Sequence, residues 1–223
     1  MTGAESLFEA IERGDAERVR ELVAAQPELV AARDADGVSA IMQARYRNDR
    51  AILDVLLATD HEPDVFESAV LGRLDRLTVI LDDDPAAVSA WSADGFGALH
   101  LAAFFGKPAT ARLLLERGAA VDAWARGGQR VQPLHSAAAG GHHEVCRLLL
   151  DAGADVRAPQ TAGWTVLHQA AQHGDPLLVE LFLSAGADPA AANDAGETAA
   201  DTAETAGHPD VAARLRQVLA EPQ

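Results

Sequence analysis

A fixed spacing constrains this chain more than any other feature. The runs ALHLAAFFGKPATARLLLERGAAVDA from Ala98, PLHSAAAGGHHEVCRLLLDAGADVRA from Pro133 and VLHQAAQHGDPLLVELFLSAGADPAA from Val166 set their Leu-His pairs 35 and then 33 residues apart. Gly-Ala pairs at Gly118, Gly153 and Gly186 repeat those intervals. Self-similarity at such a period marks a stack of small supersecondary units. Each copy holds a short Ala-rich segment, a glycine turn, and a segment with apolar residues at helical spacing, as in Ala111, Leu114 and Leu115. The glycine ends the first helix by taking a left-handed conformation. One helix pair cannot bury its apolar face alone, so neighbours must cover it and the end copies need polar outer faces. The terminal segments ERVRELVAAQ and ARLRQVLAEPQ meet that need.

Weaker copies extend the pattern. LFEAIERGDAERVRELV from Leu7, IMQARYRNDRAILDVLL from Ile41 and VFESAVLGRLDRLTVIL from Val65 keep the helix-pair skeleton, and GETAADTAETAGHPDVAARLRQVL from Gly196 closes it. Together these residues resemble the ankyrin repeat, whose pattern runs T-P-L-H-x-A-A, then G-H, then L-L-x-x-G-A-D. The resemblance, to ankyrin repeat proteins of bacterial type, implies an all-α solenoid of stacked helix pairs with short β-hairpin-like fingers. It implies one array over residues 1–223 of about seven repeats, at about 4–34, 35–62, 63–91, 92–124, 125–160, 161–193 and 194–221. It also gives His100, His135 and His168 a structural role, each hydrogen-bonding the backbone of a neighbouring loop.

Two irregularities interrupt the period. The turn positions Gly14, Asn48, Gly72, Gly106, Gly141, Gly174 and Gly207 are separated by 34, 24, 34, 35, 33 and 33 residues. One interval is about ten residues short, so the finger between repeats two and three is expected to be absent, leaving a gap in the row. The longest interval contains WARGGQRVQPLH from Trp124, where Arg130 takes the slot that Gly95, Gly163 and Gly196 fill elsewhere. Gly127 and Gly128 then move the turn outward, and a longer, more mobile finger is expected before repeat five.

The resemblance places binding on finger tips and on exposed positions of the inner helices. The inner-helix positions are Glu9, Glu12 and Arg13; Gln43, Tyr46 and Arg47; Glu67, Val70 and Leu71; Leu101, Phe104 and Phe105; Ser136, Ala139 and Gly140; Gln169, Gln172 and His173; and Thr202, Thr205 and Ala206. Of the chain's ten aromatic residues, seven fall on fingers or on this face: Tyr46, Trp91, Phe96, Phe104, Phe105, Trp124 and Trp164. Phe8, Phe66 and Phe182 fall where a repeat core would take them. Leaving several large rings in water forgoes about 1.5–3 kcal/mol each, and exposed apolar patches tend to mark interaction sites. The candidate surface comprises those seven aromatics and Leu101, bordered by Arg47, Arg126, Arg130, Gln169, Gln172 and His173. The competing reading is that the rings pack on one another and stiffen the array.

Composition narrows the partner. A formal charge of −16, from 34 acidic against 18 basic residues, argues against nucleic acid, whose phosphates need clustered cations. The lone Cys146 allows no intramolecular disulfide and fits a reducing cytoplasm. Neither a signal peptide nor a membrane span is read. No cofactor, metal site or catalytic residue is assigned. The histidine ladder is too widely spaced to share one ion, GGQR lacks the context of a phosphate loop, and LDDDPAAV lacks the ligand pattern of a calcium loop. Ser136, His173 and Glu67 are too generic a set to support an enzyme. The expected function is a module binding a protein or peptide. The alternative is a small apolar or aromatic ligand in a pocket of repeats three to six, and self-association is a third possibility.

Overall fold

The computed structural model describes residues 2–128 and 130–220. Gln129, in the lengthened finger, and residues 221–223, at the end of the closing copy, lie outside them. Among the described residues fourteen α-helices pair off in chain order: α1 (Gly3–Arg13) with α2 (Ala16–Ala25), α3 (Ala40–Tyr46) with α4 (Arg50–Leu57), α5 (Val65–Leu71) with α6 (Leu74–Asp83), α7 (Ala98–Phe104) with α8 (Pro108–Glu116), α9 (Pro133–Ala139) with α10 (His143–Asp151), α11 (Val166–Gln172) with α12 (Pro176–Ser184), and α13 (Ala199–Thr205) with α14 (Pro209–Ala220). The fold is an all-α solenoid.

Local chemistry sets the helix ends. Asp15, Asp49 and Asp175 cap α2, α4 and α12 by accepting backbone N–H groups of the first turn. Between α3 and α4 the turn passes through Asn48, whose φ of 53° puts a non-glycine residue in the left-handed region that Asn tolerates. Ala102, Ala103, Ala137, Ala138, Ala170 and Ala171 are fully buried between adjacent inner helices. Their small side chains let those helices approach closely, while Leu114, Leu149 and Phe182 fill the layer towards the outer helices. Cys146 belongs to this core, and burial pushes its thiol up to about 12.

The fingers are short. Isolated antiparallel bridges join Arg33 to Ser39, Trp91 to Gly97 and Ala192 to Thr198. Residues 58–64 run from α4 to α5 without a bridge, so the third finger is absent. In its place Asp64 caps α5, and the carboxylate of the buried Glu67 accepts the backbone N–H of Asp64 at 3.0 Å and pairs with His61 at 2.8 Å. The expected gap, however, is closed. The tip of the second finger meets the tip of the fourth so closely that a Cβ on Gly37 would lie 2.8 Å from that of Ala93. Tyr46 also donates its hydroxyl to Asp94 on the fourth finger at 2.5 Å.

The lengthened finger turns at Gly127 and Gly128, with φ of 97° and 96°. It hydrogen-bonds to both neighbours: Arg126 N–H donates to the Gly95 carbonyl at 2.8 Å and Arg130 N–H to Thr161 Oγ1 at 3.1 Å. Gly95 permits this docking, because a Cβ there would fall 1.9 Å from the Arg126 carbonyl oxygen, and its φ is +86°. Gly95→Ala is expected to destabilise the array by about 1–3 kcal/mol in chemical denaturation. Gly128→Ala, also at positive φ but with open space around it, should cost less; equal losses would show that the docking contributes nothing.

Candidate functional site

The tryptophans pack on the histidine ladder. Ring centroids lie 5.7 Å apart for Trp91 and His100, 6.3 Å for Trp124 and His135, and 5.7 Å for Trp164 and His168. Each imidazole then bonds through Nε2 to a carbonyl of the following loop: Val131 at 3.3 Å, Ala158 at 2.9 Å and Glu197 at 3.0 Å. Phe96 adds its ring 6.1 Å from that of His100. These four aromatics are half-buried, so the stiffening role accounts for part of each ring. Two of them also carry a cation. The guanidinium of Arg126 lies 4.6 Å from the Trp91 ring centre and that of Arg130 lies 4.8 Å from Trp124.

The second aromatic group spans repeat three. Phe105 lies edge-on to Phe104 at 5.1 Å and 5.7 Å from Tyr46. Phe105 is half-buried against the core, and Val70 of the intervening α5 is fully buried. Phe104 and Tyr46 stay 42% and 38% exposed, which leaves an apolar surface facing solvent. His142 of the next turn bonds through Nε2 to the Phe104 carbonyl at 2.9 Å and so anchors the end of α7. The positions in repeat five equivalent to Phe104 and Phe105 carry Ala139 and Gly140, so no bulky side chain stands there.

The remaining candidates divide. Gln172 and His173 are exposed, and Arg47 is exposed with its guanidinium on the Glu12 carbonyl. Gln169 is half-buried, and its Oε1 is enclosed without a hydrogen-bond donor among the described residues. Leu101 departs from its expected place on the open face: it is 2% exposed and belongs to the core. Glu67, Ser136 and Thr202, at the equivalent position, are likewise buried. Adjacent inner helices flank this position, and their packing covers it. Burial of Glu67 also separates it in role from Ser136 and His173, since its carboxylate serves the α5 cap.

Sequence reasoning missed Arg45. Its guanidinium carbon lies 4.6 Å from the Phe105 ring centre, and its Nε is buried without a partner among the described residues. Burial lowers its pKa. The signal was present: Arg45 occupies the position that Ala103, Ala138 and Ala171 hold in later repeats. The other tempting motifs resolve locally. His143 pairs with Asp175 at 3.0 Å, Asp84 caps a short 3-10 helix (Pro85–Ser89), and no three His, Cys, Asp or Glu side chains converge as metal ligands among the described residues. No helix among them is long and apolar enough to cross a membrane.

Burial holds the His100 imidazole down to about 4, against an ordinary 6.5, and lowers His135 and His168 as well. Between those values the unfolded chain takes up a proton that the folded chain refuses. The contribution is therefore complete above pH 6.5 and is lost as pH falls towards 4, by about 3 kcal/mol for His100. His100→Gln is expected to flatten the pH dependence of unfolding free energy across this window; an unchanged slope would remove the imidazole as its source.

Residues 66–160 and 134–222 match the family model described as Ankyrin repeats (3 copies). No curated protein matches the chain. The period, the histidine ladder, the stacked helix pairs and this match over most of the sequence lead to one assignment: the chain belongs to the ankyrin repeat family.

Proposed function

We propose that the chain is a binding module that grips a protein or peptide partner on its inner face, with Phe104 and Tyr46 as anchors. Ankyrin repeats are generally protein–protein interaction modules. The observation carrying this reading is the pair of exposed rings held in place by Phe105. Aromatic side chains fixed before binding lose little freedom on association, and Tyr and Trp are common interface anchors. The Ala139–Gly140 step beside Phe104 gives room for a partner's backbone or side chain. Gln172, His173 and Arg47 supply polar groups at the border.

Selection of displayed random peptides on the immobilised protein tests this. Enriched peptides should bind Phe104→Ser about tenfold or more weakly, the size of a modest interface anchor. Leu177→Ser, at an exposed site on the outer helix α12, should bind normally. If no peptide is enriched, or Phe104→Ser binds like the parent, the reading fails. Phe105→Ser should lower stability instead, because that ring packs against the core.

A further inference from the structure

We propose that the repeat-five finger reads acidic residues: Arg126 on Trp91 and Arg130 on Trp124 take side-chain carboxylates from an Asp- or Glu-rich segment of the protein partner. This rests on the binding-module reading and names the chemistry of its partner.

Several arginines of this acidic chain pair with its own carboxylates. Arg33, Arg117 and Arg214 reach carboxylates of a neighbouring repeat, Asp64 at 2.7 Å, Asp82 at 2.7 Å and Glu180 at 2.6 Å. Arg126 and Arg130 do not. Both are exposed, and among the described residues neither guanidinium has a carboxylate partner. Asp94, on the adjacent finger, is already committed to Tyr46 and Ser92. Each guanidinium lies instead over an indole ring.

A guanidinium held over a ring through its charge still has N–H donors for a further partner. The N–H donors lie in the guanidinium plane, where a carboxylate can accept two of them in parallel. The ring contact also restricts the long side chain before any partner arrives, which lowers the entropic cost of association. Each arginine's own backbone is anchored too, by the Arg126 N–H on Gly95 and the Arg130 N–H on Thr161. Two preoriented cations thus project from a molecule of formal charge −16. That net charge disfavours an acidic segment elsewhere on the surface, while salt screens repulsion beyond about 8 Å. The paired cations of the finger give carboxylates a place to settle, and this sets the register of a segment whose apolar residue rests on Phe104.

The selected peptides provide the test. Peptides enriched on the parent protein should carry Asp and Glu well above library frequency. A synthetic peptide of that composition should bind Arg126→Gln/Arg130→Gln about tenfold or more weakly, with the difference shrinking at high salt. Enriched peptides without excess Asp or Glu, or equal binding to the double variant, would overturn the inference while leaving the module reading, which Phe104→Ser tests separately. No enrichment at all would overturn both. Should the double variant fold poorly, the composition of the peptides chosen by the parent protein decides alone.

Discussion

Close contact between alanine-faced inner helices is the constraint on which the molecule rests. Ala102 and Ala103, Ala137 and Ala138, and Ala170 and Ala171 are small enough for neighbouring helices to exclude water from the seam. That packing sets the pitch of the stack. The pitch brings each finger near the next inner helix, so that a tryptophan can lie on a histidine and the histidine can reach the following loop. A large side chain in the alanine seam therefore has to escape sideways. Arg45 does so, leaving the seam to lie against Phe105.

Much of this is legible from residue order, because the period is a one-dimensional record of the pitch. The turn positions emerge from intervals, the helix pairs from apolar spacing, and the missing third finger from the short interval read through the ankyrin resemblance. Features decided by a neighbour's side chain are harder to read. Leu101 shares a register position with polar residues in other repeats, so register alone does not reveal that flanking helices bury it. The short interval before Gly72 marks a missing element but not the closure of the space by Tyr46 and Asp94, which comes from residues 48 positions apart. The tryptophans stand out in the sequence, but their half-burial depends on the histidines and arginines that share their faces.

Stiffening and recognition need not compete for the same ring. A side chain packed on one face is held still, and its remaining face or edge becomes a better-defined target. Phe105 secures Phe104 and Tyr46 in this way, and Trp91 and Trp124 secure two arginines. The proposed binding face thus joins an apolar patch on inner helices to a cationic edge on one finger. Chemical character changes along the stack, a basis on which a bound segment can acquire direction.

The direct contact between the second and fourth fingers has a consequence for how the array comes apart. In a simple repeat stack each unit is coupled only to its immediate neighbours, so disorder can stop at any boundary. Here Gly37 against Ala93 and Tyr46 on Asp94 couple second neighbours. These two contacts bridge the seam between α3–α4 and α5–α6, where the buried core divides into two clusters. Loss of a finger, which by itself weakens a solenoid, is answered in this chain by contacts that reach past the missing element.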